Sequence, residues 1–471
     1  MMNELKPYPA YKDSGVPWLG EMPEHWNIER AKRLFRKMDR AIQDSDDVVT
    51  CFRDGIVTLR KNRRVRGFTE SIKEIGYQGI RRGDLVIHAM DAFAGAIGVS
   101  DSDGKGTPVY SVCEPAPGVD SHFYAYMIRE MARSQWIQAL AKGIRERSTD
   151  FRFTDFGIQQ VPLPPLPEQA AIVSFIDHAD RRISRFIRTK LKLIKLLEEQ
   201  KQAIIHRAVT RGLDPNVRLK PSGVEWLGDV PEHWEVRKLR SLFKLHGSGT
   251  TPLGDDYYGG DVSWVMTGDL QDRVLSRTKR TVTDKALNEV SALRLYPAGS
   301  LLVAMYGATI GKTGILSMDA CTNQACCVLA EPREDGNVVY FQAVVNIARP
   351  ELVRQSYGGG QPNINADVVR SLRIPVPPKA EQHIIVEQLK VKGTFLDEAV
   401  AQTQREISLI REYRTRLIAD VVTGKLDVRE AADRLPVESD ESELVDEVET
   451  LTEGDEEVVD GLEAITEEVE V

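Results

Sequence analysis

Arg60-Lys61-Asn62-Arg63-Arg64-Val65-Arg66 packs five cations into seven residues. That density suits phosphate oxygens, and an arginine among them can reach guanine O6 and N7. Lys142, Arg145, Arg147 and Arg152 form a second basic set around Gly143. Tyr357-Gly358-Gly359-Gly360-Gln361-Pro362-Asn363 offers different chemistry. Its glycines permit close backbone approach to a phosphate, and the amides of Gln361 and Asn363 match adenine N6 and N7. Thr250 and Thr251, in Gly247-Ser248-Gly249-Thr250-Thr251-Pro252, have similar potential, and Lys279 and Arg280 are candidate phosphate contacts. Each has a plainer alternative: a solvated basic loop, or a turn whose amides cap the segment that follows.

Other chemistries fit poorly. Gly307-Ala308-Thr309-Ile310-Gly311-Lys312-Thr313 resembles a phosphate-binding loop but is one residue short between its glycines, and Gly314-Ile315-Leu316 does not begin a long helix. His25 beside Glu24 and His233 beside Glu232 have the form of acid–base pairs. Their identical setting next to Trp26 and Trp234 points to a structural role. Cys321, Cys326 and Cys327 lack a histidine partner and have poor ligand spacing, so no metal is expected, and 325–329 reads as a buried strand. There is no Asn-Pro-Pro-Tyr/Phe or Asp-Pro-Pro-Tyr/Phe motif, no glycine-rich cofactor loop opening a helix, no motor motif and no nuclease carboxylate–lysine cluster. The expectation is a binder without catalysis or cofactor.

The elements that must position these residues are announced by a repeat. Lys12-Asp13-Ser14-Gly15-Val16-Pro17-Trp18-Leu19-Gly20 through Pro23-Glu24-His25-Trp26 returns as Lys220-Pro221-Ser222-Gly223-Val224-Glu225-Trp226-Leu227-Gly228 through Pro231-Glu232-His233-Trp234. Pro164-Pro165-Leu166-Pro167-Glu168-Gln169 returns as Pro377-Pro378-Lys379-Ala380-Glu381-Gln382, and Ala208-Val209-Thr210-Arg211-Gly212-Leu213-Asp214 as Val421-Val422-Thr423-Gly424-Lys425-Leu426-Asp427. Two copies of one domain on a pseudo-two-fold axis follow. After each Pro-Pro-x-x-Glu-Gln, apolar residues recur at three, four or seven: Ile172, Ile176, Ala179, Ile183, Ile187, Leu191, Ile194, Leu197, Ile204 and Ala208, then Ile385, Leu389, Leu396, Ala399, Thr403, Ile407, Ile410, Leu417 and Val421. This is a coiled-coil pattern sustained for roughly 40 residues, so each helix is about 60 Å long at 1.5 Å per residue. An apolar seam of that length needs a partner, and the natural partner is the other copy.

The regions between are α/β, with short buried strands at 83–89 and 299–305 and helices at 123–140 and 340–352. They match weakly outside the strand motifs: the scaffold repeats and the rest does not. Net charge is −9 overall, but 428–471 holds 18 acidic residues and two basic ones, which leaves 53 acidic and 60 basic residues, a charge of +7, in 1–427. A basic body fits a polyanion partner. The tail reads as a disordered solubilising extension. Its heptad seam of Leu444, Val448, Leu451, Val458, Leu462, Ile465 and Val469, broken by Asp455 beside Gly454, also suits an acidic amphipathic helix that shields a basic surface. The first eleven residues lack a signal peptide's apolar segment, no apolar run suits a membrane span, and five cysteines make no disulfide framework. A reduced, cytoplasmic protein is expected.

The repeated motifs together resemble the specificity subunits of type I restriction–modification systems. So do Gly249-Thr250-Thr251-Pro252, Tyr257-Tyr258-Gly259-Gly260, Val262-Ser263-Trp264-Val265, Thr322-Asn323-Gln324 and Gly358-Gly359-Gly360-Gln361-Pro362-Asn363-Ile364. The resemblance covers nearly all of 1–427; the first domain lacks the Gly-Thr-Thr-Pro and Gly-Gly-Gly-Gln-Pro-Asn loops. It implies a fold of two target-recognition domains (27–162 and 215–375) with small twisted sheets, joined by two long antiparallel coiled-coil helices (163–214 and 376–427). An N-terminal arm at 1–26 and the acidic tail at 428–471 flank them. It further implies that each domain reads half of a bipartite, asymmetric site on double-stranded DNA. Two methyltransferase subunits would dock on the chain, and motor-endonuclease subunits would join them. The residues alone reach a compatible place: two related domains, a rigid spacer and a basic body are the logic of a DNA-binding dimer fused into one chain.

Overall fold

The computed structural model describes residues 5–63, 75–140, 150–334, 336–358 and 362–436. It divides into two compact units, 1–187 with 408–471 and 188–407. Arg64, Arg66, Lys142, Arg145, Arg147, Gln361 and the acidic tail from 437 lie outside the described residues.

Two long helices, Leu166–Arg211 and Lys379–Val422, each contribute residues to both units. All the apolar seam positions read from the sequence are buried or half-buried. In the first unit Ile172, Phe175 and Ile176 share a core with Leu417, Val421 and Val422, and Asp180 pairs with Arg414 at 2.5 Å. In the second, Lys190 pairs with Glu406 at 2.7 Å and Lys201 with Asp397 at 2.5 Å. Rising numbers on one helix meet falling numbers on the other, so the segments are antiparallel within each unit. Among the described residues no helix is long and apolar enough to cross a membrane.

The three repeated motifs meet at the foot of each unit. In the first, Glu168 is 4 % exposed and its Oε1 accepts from Tyr8 Oη (2.6 Å) and Trp26 Nε1 (2.9 Å), while His25 Nε2 lies 2.8 Å from its Oε2. Gly424, from the end of the second repeat, closes over Pro23 and Trp26; its φ of +77° and the 2.5 Å that a Cβ would leave to Pro23 explain the glycine. In the second unit His233 meets Glu381 at 2.9 Å, and Gly212, from the end of the first repeat, lies against Trp234. Each histidine thus bonds the distant glutamate of a long helix, not the adjacent Glu24 or Glu232.

The glutamine of Pro-Pro-x-x-Glu-Gln has an equally specific task. Gln169 and Gln382 are fully buried. Each donates from Nε2 to a proline carbonyl five residues back, Pro164 or Pro377, at 2.8 Å. Each accepts through Oε1 from the backbone N–H of a helix N-cap residue in the region that precedes it, Asp120 at 2.9 Å or Asn337 at 2.8 Å. Replacing either glutamine by methionine orphans a buried N–H and a carbonyl, so Gln169→Met or Gln382→Met is expected to cost about 2 kcal/mol in denaturant titration. A loss below about 0.5 kcal/mol would mean that water replaces the amide.

The recognition regions repeat further than their sequences do. Strand Asn27–Arg30 pairs antiparallel with Gln160–Leu163, and Glu235–Lys238 with Arg373–Val376, closing each region at its base. The first unit's main sheet runs Phe35–Lys37, Tyr110–Pro115, Leu85–His88, Ile97–Val99. The second runs Phe243–Gly247, Cys326–Pro332, Leu301–Ala304, Thr313–Leu316, with Arg273–Leu275 added in parallel. The order is the same, as two copies of one domain require, although the sequences match weakly here: buried alternation and register carry the topology while exposed side chains drift. Each helix read as continuous is two. The first breaks after Ser121–Arg133 at Gln135, in the left-handed region with φ 61°, before Trp136–Leu140. The second breaks at Ala348 between Val338–Ile347 and Arg349–Arg354, where Pro350 starts a new first turn.

Candidate nucleic-acid interface

In the second unit the sheet gathers several loops at one end. Strand Leu301–Ala304 exits there and Cys326–Pro332 enters, tied by Met305 N donating to Ala325 O at 2.9 Å. Ile364 N donates to Met305 O at 2.9 Å and Gly307 N to Pro362 O at 2.8 Å. Tyr357 and Asn363 exchange backbone bonds of 3.0 and 2.9 Å across the intervening glycine-rich loop. The 248–252 loop joins them. Gly249 N reaches Asn323 O at 3.3 Å, Thr251 Oγ1 donates to Gln324 Oε1 at 2.8 Å, and the Thr250 carbonyl accepts from Trp264 Nε1 at 3.2 Å. Asn323 N donates in turn to Val265 O at 3.0 Å. From there Asp269, buried, caps Met266 N at 2.9 Å and accepts from Lys279 N at 3.4 Å. Arg280 lies over the Tyr258 ring at 5.5 Å.

Thr250, Thr251, Lys279, Arg280, Tyr357 and Asn363 are therefore linked through one continuous set of loops. Tyr357 is 58 % exposed and Tyr306, in the adjoining loop, 38 %. Among the described residues Asn363 Oδ1 has no hydrogen-bond partner. Amides, hydroxyls and two aromatic faces beside exposed cations can pair with base edges, stack and neutralise phosphates. Sequence reasoning assigned no role to Gln324 or Tyr306. The signal available was the polar Thr322-Asn323-Gln324 turn directly before a buried strand. The loop once compared with a phosphate cradle, Gly307–Thr309, is a short 3-10 turn followed by strand Thr313–Leu316, so no helix N-terminus faces a phosphate there.

The first unit repeats the frame with other side chains. Ala89 N donates to Val109 O at 3.0 Å and Phe151 N to Ala89 O at 3.1 Å, the bonds that Met305, Ala325 and Ile364 make in the second unit. At this end Arg152 pairs with Asp150 at 2.7 Å, and Arg53 with Asp91 at 3.0 Å beside His88, whose burial holds its pKa below the usual value. Arg60, Lys61 and Arg63 stand at the end of a small hairpin, Val49–Cys51 with Val57–Leu59. Arg60 Nε donates to Thr50 Oγ1 at 3.4 Å, Lys61 pairs with Asp47 at 2.5 Å, and Arg63 pairs with Asp54 at 2.6 Å while stacking on Phe52 at 4.6 Å. Pairs this close to solvent are worth about 0–1 kcal/mol and exchange readily for phosphate. Among the described residues no hydrogen bond or ion pair links this cluster to Arg152. All five cysteines are buried as free thiols, and burial pushes the pKa of each upward.

Known proteins share these features. Residues 231–408 match the family model of the type I restriction modification DNA specificity domain. A Methanocaldococcus jannaschii protein assigned as the type I restriction enzyme MjaX specificity subunit is 20% identical over 430 residues, covering 87% of this chain and 96% of its own length. The MjaVIII specificity subunit of the same organism is 24% identical over 316 residues, covering 65% of this chain and 70% of its own. Among solved structures, a chain from work on complex assembly and conformational transition of the type I R-M system covers 85% of this chain and 98% of itself, at TM-score 0.65 and 16% identity. The HsdS subunit of Thermoanaerobacter tengcongensis covers 86% and 98%, at TM-score 0.51 and 18% identity. These two structures share the fold of alternating small sheets and long helices. Over most of its length the chain is thus similar to the specificity subunits of type I restriction–modification systems, and 231–408 carries the sequence pattern of their DNA specificity domain.

Proposed function

We propose that this chain is the non-catalytic, sequence-specific DNA-binding subunit of a type I restriction–modification complex. Each recognition region, 27–162 and 215–375, reads one half of a bipartite, asymmetric site. The observation that carries this reading is the pairing of one sheet topology with two unlike loop sets at the same sheet end. Identical frames deliver loops to equivalent places on a duplex, while different side chains read different bases. The helical segments 163–214 and 376–427 set the half-site separation and dock two methyltransferase subunits. Motor-endonuclease subunits join that assembly in the cytoplasm.

The test is a genome-wide methylation map of cells carrying the chain with its neighbouring methyltransferase, compared with cells lacking the chain. An asymmetric split motif that vanishes with the chain is expected. Methylation that persists unchanged would show that this chain directs nothing. The spacing role has its own check: inserting or deleting two base pairs between the half-sites turns one relative to the other by about a fifth of a helical turn, on roughly 10 bp per turn. Methylation of the altered site should be lost, and retention would remove the ruler.

A further inference from the structure

We infer that each unit carries a second, sequence-independent DNA contact: a collar of exposed cations at the opposite end of the sheet from the reading loops. This deepens the DNA-binding reading and rests on it.

The collar appears on superimposing the units by their backbone bonds. Ala31 N donates to Gln159 O at 2.9 Å as Leu239 N does to Leu372 O at 2.8 Å. Ala116 N donates to Leu34 O at 2.8 Å as Arg333 N does to Leu242 O at 2.9 Å. Phe35 faces Pro115 as Phe243 faces Pro332. The equivalences that follow are Arg30 with Lys238, Lys32 with Arg240 and Arg36 with Lys244, and all six side chains are exposed. Lys32, Arg36 and the neighbouring Arg33 line a surface recess of about 360 Å³. Of the six, Arg36 alone has a carboxylate partner among the described residues, Glu114 at 2.5 Å in an open surface pair.

Buried residues recur between the copies because packing demands them. Exposed cations have no such reason, and the reading loops of the two units share almost nothing. What the two half-sites of an asymmetric sequence do share is the phosphate backbone. The rival is a pair of identical protein partners, but aromatic residues are enriched at the cores of protein interfaces, and none of the six recurring positions holds one. The reach is suitable. Strand Phe243–Gly247 sets about 13 Å between the collar and the start of the 248–252 loop, close to the roughly 12 Å width of the major groove. Loops over base edges therefore leave these cations at the bordering phosphates.

The experiment uses the full chain with Lys32→Gln/Arg36→Gln, with Arg240→Gln/Lys244→Gln, and with all four. Affinity for a cognate and an unrelated duplex is measured between about 50 and 200 mM salt. With all four changed, the slope of log affinity against log salt should fall by roughly 3–4, at about 0.9 per phosphate. The losses should be equal on both duplexes, leaving their affinity ratio intact. An unchanged slope, with the unaltered chain still strongly salt-dependent and specific, refutes the collar and leaves the DNA-binding reading standing. Lost assembly with methyltransferase subunits at unchanged DNA affinity would make the collar a protein-docking face and overturn the inference. An unaltered chain with no salt-dependent DNA affinity would remove both readings together.

Discussion

Glu168→Ala lowers the stability of the first unit by about 3–5 kcal/mol, whereas Glu381→Ala costs the second about 1 kcal/mol. Burial and partner count make the difference. Glu168 Oε1 is the acceptor for both Trp26 Nε1 and Tyr8 Oη, in a core where neither can find water. Removing the carboxylate leaves two buried donors unpaired at about 1–3 kcal/mol each, and frees His25 as well. Glu381 is 28 % exposed and among the described residues its side chain bonds only His233, itself half exposed. Among the described residues Trp234 Nε1 already lacks a partner, so no further indole is orphaned there. The repeat offset explains the asymmetry: Asn216 stands in the chain where Tyr8 does, and it supplies no phenol. Hydrogen exchange in denaturant resolves the units separately, as a single global transition would not. Equal losses in the two units would refute the argument.

Gly249→Ala should abolish second-half-site recognition while leaving general DNA affinity within about two-fold. A Cβ at this position would lie 1.6 Å from the Thr322 carbonyl oxygen and 2.4 Å from its carbon. Both are backbone atoms of a buried strand, so no rotamer relieves the clash and the loop must lift. Lifting breaks Gly249 N to Asn323 O and pulls Thr251 from Gln324. Losing the alignment of two base-edge contacts, at about 1–3 kcal/mol each, lowers methylation of the cognate site on the order of 100-fold. Gly268→Ala is the control, because a Cβ there meets nothing within 4 Å. Cognate methylation near wild type in Gly249→Ala would mean that this loop positions nothing that reads DNA.

The long helices were legible because their seam is local information. One glance along Ile172, Ile176, Ala179 and Ile183 reveals spacing that only a helix satisfies, and every seam residue read that way is covered. The strands at 83–89 and 299–305 were legible for the same reason. The breaks at Gln135 and Ala348 were not, since a single left-handed residue or a proline one step into a new turn barely alters periodicity. The role of Glu168 was hidden because its partners lie roughly 140 and 160 positions away. The repeat marked Glu168, His25 and Trp26 as important without saying that they bond one another. The candidate loops fared unevenly. Thr250, Thr251, Tyr357 and Asn363 share one surface because strand order brings them there, whereas Gln324, quoted only within a motif, received no contact role because a glutamine in a turn has no distinctive spacing. Shared register, which made the two sheets alike, leaves little trace in exposed residues.

Each recognition region leaves and re-enters the chain through neighbouring antiparallel strands, Asn27 opposite Leu163 and Glu235 opposite Val376. Its two ends are thus only about 5 Å apart, and everything between them is an excursion from a continuous frame. An excursion of this kind can be exchanged whole, because the frame senses only a pair of strand ends and not what hangs from them. On the proposed DNA-binding reading, replacing one such excursion would change one half-site and leave the frame untouched.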